Sequence, residues 1–331
     1  MYTPPFTISA HAINLIAEIS GQIERYAIRL EQSDAMKLRK ANRIRTIHSS
    51  LAIEGNTLSE DEVKDIIEGK TVIAPLRQIQ EVKNAIKTYE LYSSLNPFSV
   101  DDLLKAHGTM MMALTDDAGR FRRGGVGVFS EKGLVHMAPP ANRVPELIIN
   151  LFEWLKEAKD HLLIRSCVFH YEFEFIHPFS DGNGRTGRLW QSLILGKLHP
   201  LFEHLPVENM VYANQEAYYN AIQASTAAAN SGPFIDFMLQ EILDALKNHQ
   251  GSPLPQSEYS EVRDKVRVKF GISSGQIIEL IRHNSSITLD EIADTLSVTR
   301  RAIEKKIKEL RDAGYIRREG SNKSGRWVII E

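Results

Sequence analysis

Between His177 and Arg188 the chain reads His-Pro-Phe-Ser-Asp-Gly-Asn-Gly-Arg-Thr-Gly-Arg, and no other stretch limits its fold so tightly. Pro178 disfavours a helical conformation at His177, so the helical run from Cys167 to Ile176 should stop there. Gly182 and Gly184 flank Asn183, and glycines let a backbone approach a ligand closely and aim successive N–H groups into an anion site. The apolar stretch Leu189 to Leu195 reads as a second helix. If it begins near Asn183, its positive dipole end joins the same place. Arg185 and Arg188, at i and i+3, then project from one side of its first turn. The pattern describes a polyphosphate cradle between two helices, with an imidazole at one lip and a carboxylate, Asp181, beside it.

The lysine and hydroxyl of a GxxxxGK[ST] loop are missing. Gly182, Gly184 and Gly187 spell GxGxxG, but the segment before them is helical rather than a strand, against a dinucleotide-binding unit. The segment resembles the Fic family signature, HPFx[D/E]GNGRxxR, and His177, Pro178, Phe179, Asp181, Gly182, Asn183, Gly184, Arg185 and Arg188 fill every fixed position. The resemblance implies a mainly α fold: a helical Fic core with a β-hairpin flap. It implies protein adenylylation, with His177 as general base toward a target hydroxyl attacking the α-phosphate of ATP. An imidazole's ordinary pKa of about 6.5 suits that task. By the same resemblance Asp181 holds Mg²⁺, Gly182, Asn183 and Gly184 hold the α-phosphate, and Arg185 and Arg188 clamp the β- and γ-phosphates. Tyr218 is the expected contact for the adenine. The acceptor is a Ser, Thr or Tyr hydroxyl of a target protein, with self-modification included.

Ser50-Leu-Ala-Ile-Glu54-Gly55 matches the inhibitory motif [S/T]xxxE[G/N] of part of that family. Ile44, Ile47 and Leu51 give its helix a buried face, Ser50 and Glu54 share a side, and Gly55 reads as a C-terminal cap. Ser59 with Glu62 reads as the capping box of the next helix. A glutamate there faces an unfavourable dipole end, which a cation would relieve. By resemblance that cation is Arg188, and the pair excludes the γ-phosphate from its productive place. Between the motifs, apolar runs around Ser130 to Gly133 read as a hairpin. Resemblance makes this the flap, with Val126, Gly127, Val128 and Phe129 offering an edge to the target's backbone.

The charge of −2 favours neither nucleic acid nor membrane as a partner of the whole chain, and one cysteine, Cys167, excludes a disulfide framework. No apolar stretch approaches a membrane span, and the start of the chain shows no signal peptide. A cytoplasmic protein without membrane contact is expected, and exposed helical faces suit a homodimer. Residues 1–97 read as a helical region carrying the inhibitory helix, 98–248 as the catalytic core and 249–260 as a polar linker. Residues 261–331, three helices then a hairpin, resemble a winged helix-turn-helix, a small α+β domain. Thr288 and Glu291 cap its second helix. Arg300, Arg301, Lys305, Lys306, Lys308 and Arg311 on the third helix suit phosphate contact, although Glu304, Glu309 and Asp312 interrupt them; the wing adds Arg317, Arg318, Lys323 and Arg326. Trp327 reads as core. His170, Glu174 and His177 share a helical spacing that zinc could use, but Pro178 and the base role argue against it. Glu172 and Glu174 read as a solvated or paired helix face. Two other functions fit the same residues: removal of AMP from a modified target, or a DNA-binding regulator with a nucleotide-sensing core.

Overall fold

The protein is described from a computed structural model covering residues 2–30, 35–130, 133–205, 207–248, 266, 274, 277–278, 280–281, 285, 287–296, 298–319 and 326–330. For 26–30, 35–40, 128–130, 133–136, 210, 248, 294 and 319 it describes the backbone alone. The expected linker 249–260, the tip of the wing with Lys323 and much of 261–283 lie outside the described residues. The chain divides into two compact units, Met1–Gly251 and Ser252–Glu331.

The first unit is helical: α1 (Ala10–Leu30), α2 (Ala35–Ile53), α3 (Glu60–Ile67), α4 (Leu76–Glu90) and α5 (Val100–Met110), then α6 (Val144–Glu157), α7 (Leu162–Ile176), α8 (Asn183–Gly196), α9 (Val207–Ala213), α10 (Gln215–Ala228) and α11 (Gly232–Asn248). Local rules set several starts. Ser59 and Glu62 form the capping box of α3, and the Ser99 hydroxyl accepts from the Asp102 amide at the head of α5. Gly55, at φ +85°, closes α2. Helices from 1–97 and from 98–248 contribute to one hydrophobic core, from Ala12, Ile47 and Leu51 to Phe169, Trp190 and Leu246.

At the centre lies α7. Leu163, Ile164, Val168, Phe169, Phe173 and Ile176 spread apolar residues around its whole circumference, and such a helix is buried on all sides. Burial of this kind fixes where the helix ends, and so fixes His177. The one described sheet of this unit is a hairpin, β1 (Gly127–Ser130) antiparallel to β2 (Gly133–Met137), with Gly127 opposite Met137 and Val128 opposite His136.

In the second unit, α12 (Leu289–Thr295), α13 (Arg300–Asp312) and the hairpin of β3 (Ile316–Glu319) and β4 (Arg326–Ile329) follow helical residues at 277–278 and 280–281. Ile277, Ile281, Ile292, Ile303, Ile307, Leu310 and Trp327 form its core. Thr288 and Glu291 bond reciprocally at the start of α12, as their spacing predicts. Trp327 is buried and donates its indole N–H to the carbonyl of Ile287.

Candidate active site

α7 ends because His177 leaves the helical region for φ 50°, ψ 62°, a left-handed conformation that a non-glycine residue adopts only when its surroundings impose it. Arg122 supplies that constraint. It is buried, and its guanidinium donates to the carbonyls of His177 (2.7 Å), Ile176 (3.2 Å), Gly124 (2.8 Å) and Pro139 (2.5 Å). Its amide donates to Pro178. One side chain thus ties the loop at His177 to both feet of the hairpin.

The loop itself is built on Phe179, which stacks on His107 with centroids 3.6 Å apart. Gly119 donates to Nδ1 of His107, so the neutral ring carries its proton on Nε2 and donates to the carbonyl of Asp181. Burial pushes the His107 pKa down, which keeps that arrangement. Gly182, at φ +80°, heads α8, and a Cβ there would strike the Met111 side chain. The side chain of Asn183 is committed to Phe179, accepting from its amide and donating to its carbonyl, both at 2.9 Å. What Asn183 and Gly184 offer a phosphate is therefore first-turn amide groups, which have no acceptor within the helix.

Asp181 lies at the exposed lip. Arg185 donates to one carboxylate oxygen at 3.0 Å and Arg77 to the other at 3.2 Å. Deeper in, Arg188 is buried and meets Glu54 at 2.8 Å. It also donates to the Ser50 carbonyl at 2.9 Å and lies 3.3 Å from the Ser50 hydroxyl. Burial alone would lower the Arg188 pKa; the Glu54 carboxylate overrides it and holds the guanidinium above its ordinary value. A Cβ at Gly184 would run into that carboxylate, so the pair sits directly on the first turn of α8. Ser50 and Glu54 are thus brought to Gly184 and Arg188, far along the chain.

Tyr218 is buried against Phe234, and its hydroxyl lies 3.0 Å from Nε2 of His170. The other ring nitrogen of His170 donates to Gln191 at 2.6 Å. Both nitrogens are occupied, and burial lowers the ring's pKa to about 4. Among the described residues no group of three or more His, Cys, Asp or Glu could hold a metal ion by itself. Cys167 is buried core, its thiol pushed up to about 12. The backbones of Gly127, Val128 and Phe129 form the hairpin strand that Val126 precedes; the side chains of Val128 and Phe129 lie outside the described residues.

Of the solvated or paired face expected at Glu172 and Glu174, the solvated alternative fails: both are buried, at 6% and 8% exposure. Glu172 accepts from the Tyr2 hydroxyl at 3.0 Å, and burial raises its pKa to about 7. α7 has no polar side, so residues that would be outward on a surface helix have nowhere to go. Spacing marks none of Arg77, His107 and Arg122, and it offers Glu174 only as one of three residues that zinc could use. The Arg120-Phe121-Arg122 run beside the glycines was visible, but nothing local distinguishes a buried arginine from a solvated one.

The family profile described as Fic/DOC matches residues 97–195, and that of an HTH domain matches 275–325. The crystal structure of a Fic family protein from Desulfovibrio desulfuricans G20 is similar at 38% identity and TM-score 0.74, covering 99% of this chain and 98% of that one. Protein adenylyltransferase fic-1 of Caenorhabditis elegans is 30% identical over 254 residues, 67% of this chain and 47% of the relative. The Caenorhabditis briggsae protein of the same name is 29% identical over the same shares. The chain spans about half the length of these curated relatives. Among the described residues no helix is long and apolar enough to cross a membrane.

Proposed function

The chain belongs to the Fic family, and on that premise we propose that it is a protein adenylyltransferase held in check by its own Glu54. The observation that carries this reading is the contact of Glu54 with Arg188 on the first turn of α8, where a bound triphosphate would need that guanidinium. With Glu54 displaced, Arg188 and Arg185 are the cations available to the β- and γ-phosphates, and the amides around Gly182 to Gly184 receive the α-phosphate. A target hydroxyl then attacks the α-phosphorus and gives its proton to His177. The bond to the β-phosphate breaks, pyrophosphate leaves, and AMP stays on the target oxygen. The hairpin edge at 126–129 positions the target backbone, and most of the rate comes from positioning and charge neutralisation.

Asp181 fits Mg²⁺ by the chemistry of its donor: a half-exposed carboxylate at the lip, with no second acidic ligand needed if phosphate oxygens complete the shell. Bound there, the ion supplies charge neutralisation of the phosphates. Tyr218 stays in the proposal as part of the wall behind the adenine, since it is buried and its hydroxyl is occupied.

Labelling with α-labelled ATP and Mg²⁺ tests the reading. Wild type labels weakly, Glu54→Gly strongly, and a Glu54→Gly, His177→Ala double variant not at all; equal labelling by all three removes the proposal. The reverse reaction is separated by adding wild-type protein to the labelled Glu54→Gly product and following loss of label.

For the second unit we propose DNA as partner, on a specific observation. Arg300 is paired with Asp290 (2.6 Å) and Glu304 (3.0 Å), whereas Arg301, Lys305 and Lys308 form an exposed stripe opposite Ile303, Ile307 and Leu310. Replacing the three by alanine should reduce the salt slope of duplex binding by about three units. A slope unaffected by the change excludes this face.

A further inference from the structure

We propose that Glu174 is a positioning residue for His177: its buried carboxyl decides which nitrogen of the imidazole carries the proton. The proposal rests on the reading of His177 as general base and deepens it. Glu174 lies one helical turn before His177 on α7, with Oε2 4.0 Å from Nδ1. That nitrogen is buried, while the side chain as a whole is 19% exposed, so the ring meets the site through its other edge. The second carboxyl oxygen, Oε1, is buried with no hydrogen-bond partner and presses on Gly187, where a Cβ would come within 2.8 Å of it. A side chain at 187 would push this carboxyl out of its place.

The groups facing it come from every side: Arg188 on α8, Glu54 just past α2, Tyr218 and Tyr219 on α10, and His177 itself. Burial is the main reason that its pKa rises to about 8; Arg188 pulls it down and the like charge of Glu54 pushes it up. The carboxyl is thus poised near neutrality, and its state is coupled to the brake.

An imidazole that takes a proton at Nε2 must already carry one at Nδ1. An ionised Glu174 accepts from Nδ1–H and leaves the Nε2 lone pair facing the target hydroxyl. A protonated Glu174 does the opposite: it donates to Nδ1, the ring's proton sits on Nε2, and the base is disabled. Glu54 in place favours the protonated form, and its departure favours the ionised one. The brake therefore acts twice, on the phosphate site through Arg188 and on the base through Glu174. The 4.0 Å separation suits an unliganded site, where catalytic hydrogen bonds are long and tighten on binding.

The experiment compares wild type, Glu54→Gly, and Glu54→Gly combined with Glu174→Gln or Glu174→Ala. Nitrogen-15 NMR of labelled histidines, with the His177 signal identified by its loss in His177→Ala, reports the tautomer. It should be the Nε2–H form in wild type and the Nδ1–H form in Glu54→Gly, a comparison that leaves position 174 untouched. In the double variants labelling should fall about 10- to 100-fold, a part of the roughly 10²–10⁴-fold worth of a general base. The acid limb of its pH profile should move to lower pH, because the carboxylate that stabilises the imidazolium is gone. Calorimetric ATP binding should be retained. If Glu54→Gly does not label at all, the adenylyltransferase reading fails, and the tautomer comparison still decides the role of Glu174. Identical tautomers in wild type and Glu54→Gly, or double variants with the parent's rate and pH profile, overturn it.

Discussion

Arg188 concentrates the energetic problem of the site in a single residue. A buried guanidinium without a counter-charge is strongly unfavourable, and in this chain the counter-charge is Glu54. Removing Glu54 should therefore lower stability while raising activity. The loss should be smaller than the roughly 3–5 kcal/mol of a fully buried pair, because Glu54 is about one-third exposed. Mg-ATP should restore the melting temperature of Glu54→Gly more than it raises that of wild type, and an equal rise in both proteins refutes the idea that phosphate replaces the carboxylate. Gly184→Ala sets the opposite test: its methyl group displaces Glu54 but stands where the phosphates must pass, so it should break the ion pair without any gain in labelling. At this scale the sequence was legible wherever a residue's role is local. Pro178 and the capping glycines could be read from local rules, whereas Ser50 and Glu54 stood out only through resemblance to the inhibitory motif. Glu174 could not be read, because its meaning depends on α7 being enclosed on all sides, which is a property of its neighbours.

Between elements, the contacts that matter are few and polar. The end of α2 is held by Arg188 at the Ser50 carbonyl, by Gln215 of α10 at the Ile53 carbonyl (3.1 Å), and through Ser49 to Asn209 of α9 (3.1 Å). Gln215→Ala should loosen that end and raise wild-type labelling by a few-fold, consistent with the ~0.5–1.5 kcal/mol of one hydrogen bond. The hairpin and the catalytic loop share Arg122. Arg122→Ala, in the Glu54→Gly background, should leave ATP binding intact but reduce labelling by about 10²-fold, as expected when a reacting group is misplaced by about an ångström. Full activity in that variant would mean that the left-handed turn at His177 holds itself. The helices and the hairpin were readable from periodicity and turn residues. The welding of hairpin to loop was not, since an arginine that satisfies four carbonyls is indistinguishable in sequence from one in water.

For the whole first unit, the buried carboxyls set a pH dependence. Glu172 and Glu208 are raised to about 7 and Glu174 to about 8, in each case mainly by burial. From the ordinary value of 4.5 up to these folded values the folded protein binds more protons than the unfolded chain, and stability falls as pH rises. His107, His161 and His170 are lowered by burial, so they add stability as pH rises toward about 6.5 and nothing beyond it. The histidines offset that loss only below about pH 6.5, so stability should decline from about pH 6.5 to pH 8, with Glu208→Gln flattening the decline. A denaturant midpoint that climbs across that interval shows the carboxyls to be ionised in the fold. Glu54 and Arg188 stand 134 positions apart, with the glutamate first along the chain. Under the proposed inhibition the carboxylate leaves the ribosome well before the arginine it pairs with, so each newly made molecule would complete its phosphate site with the guard already present.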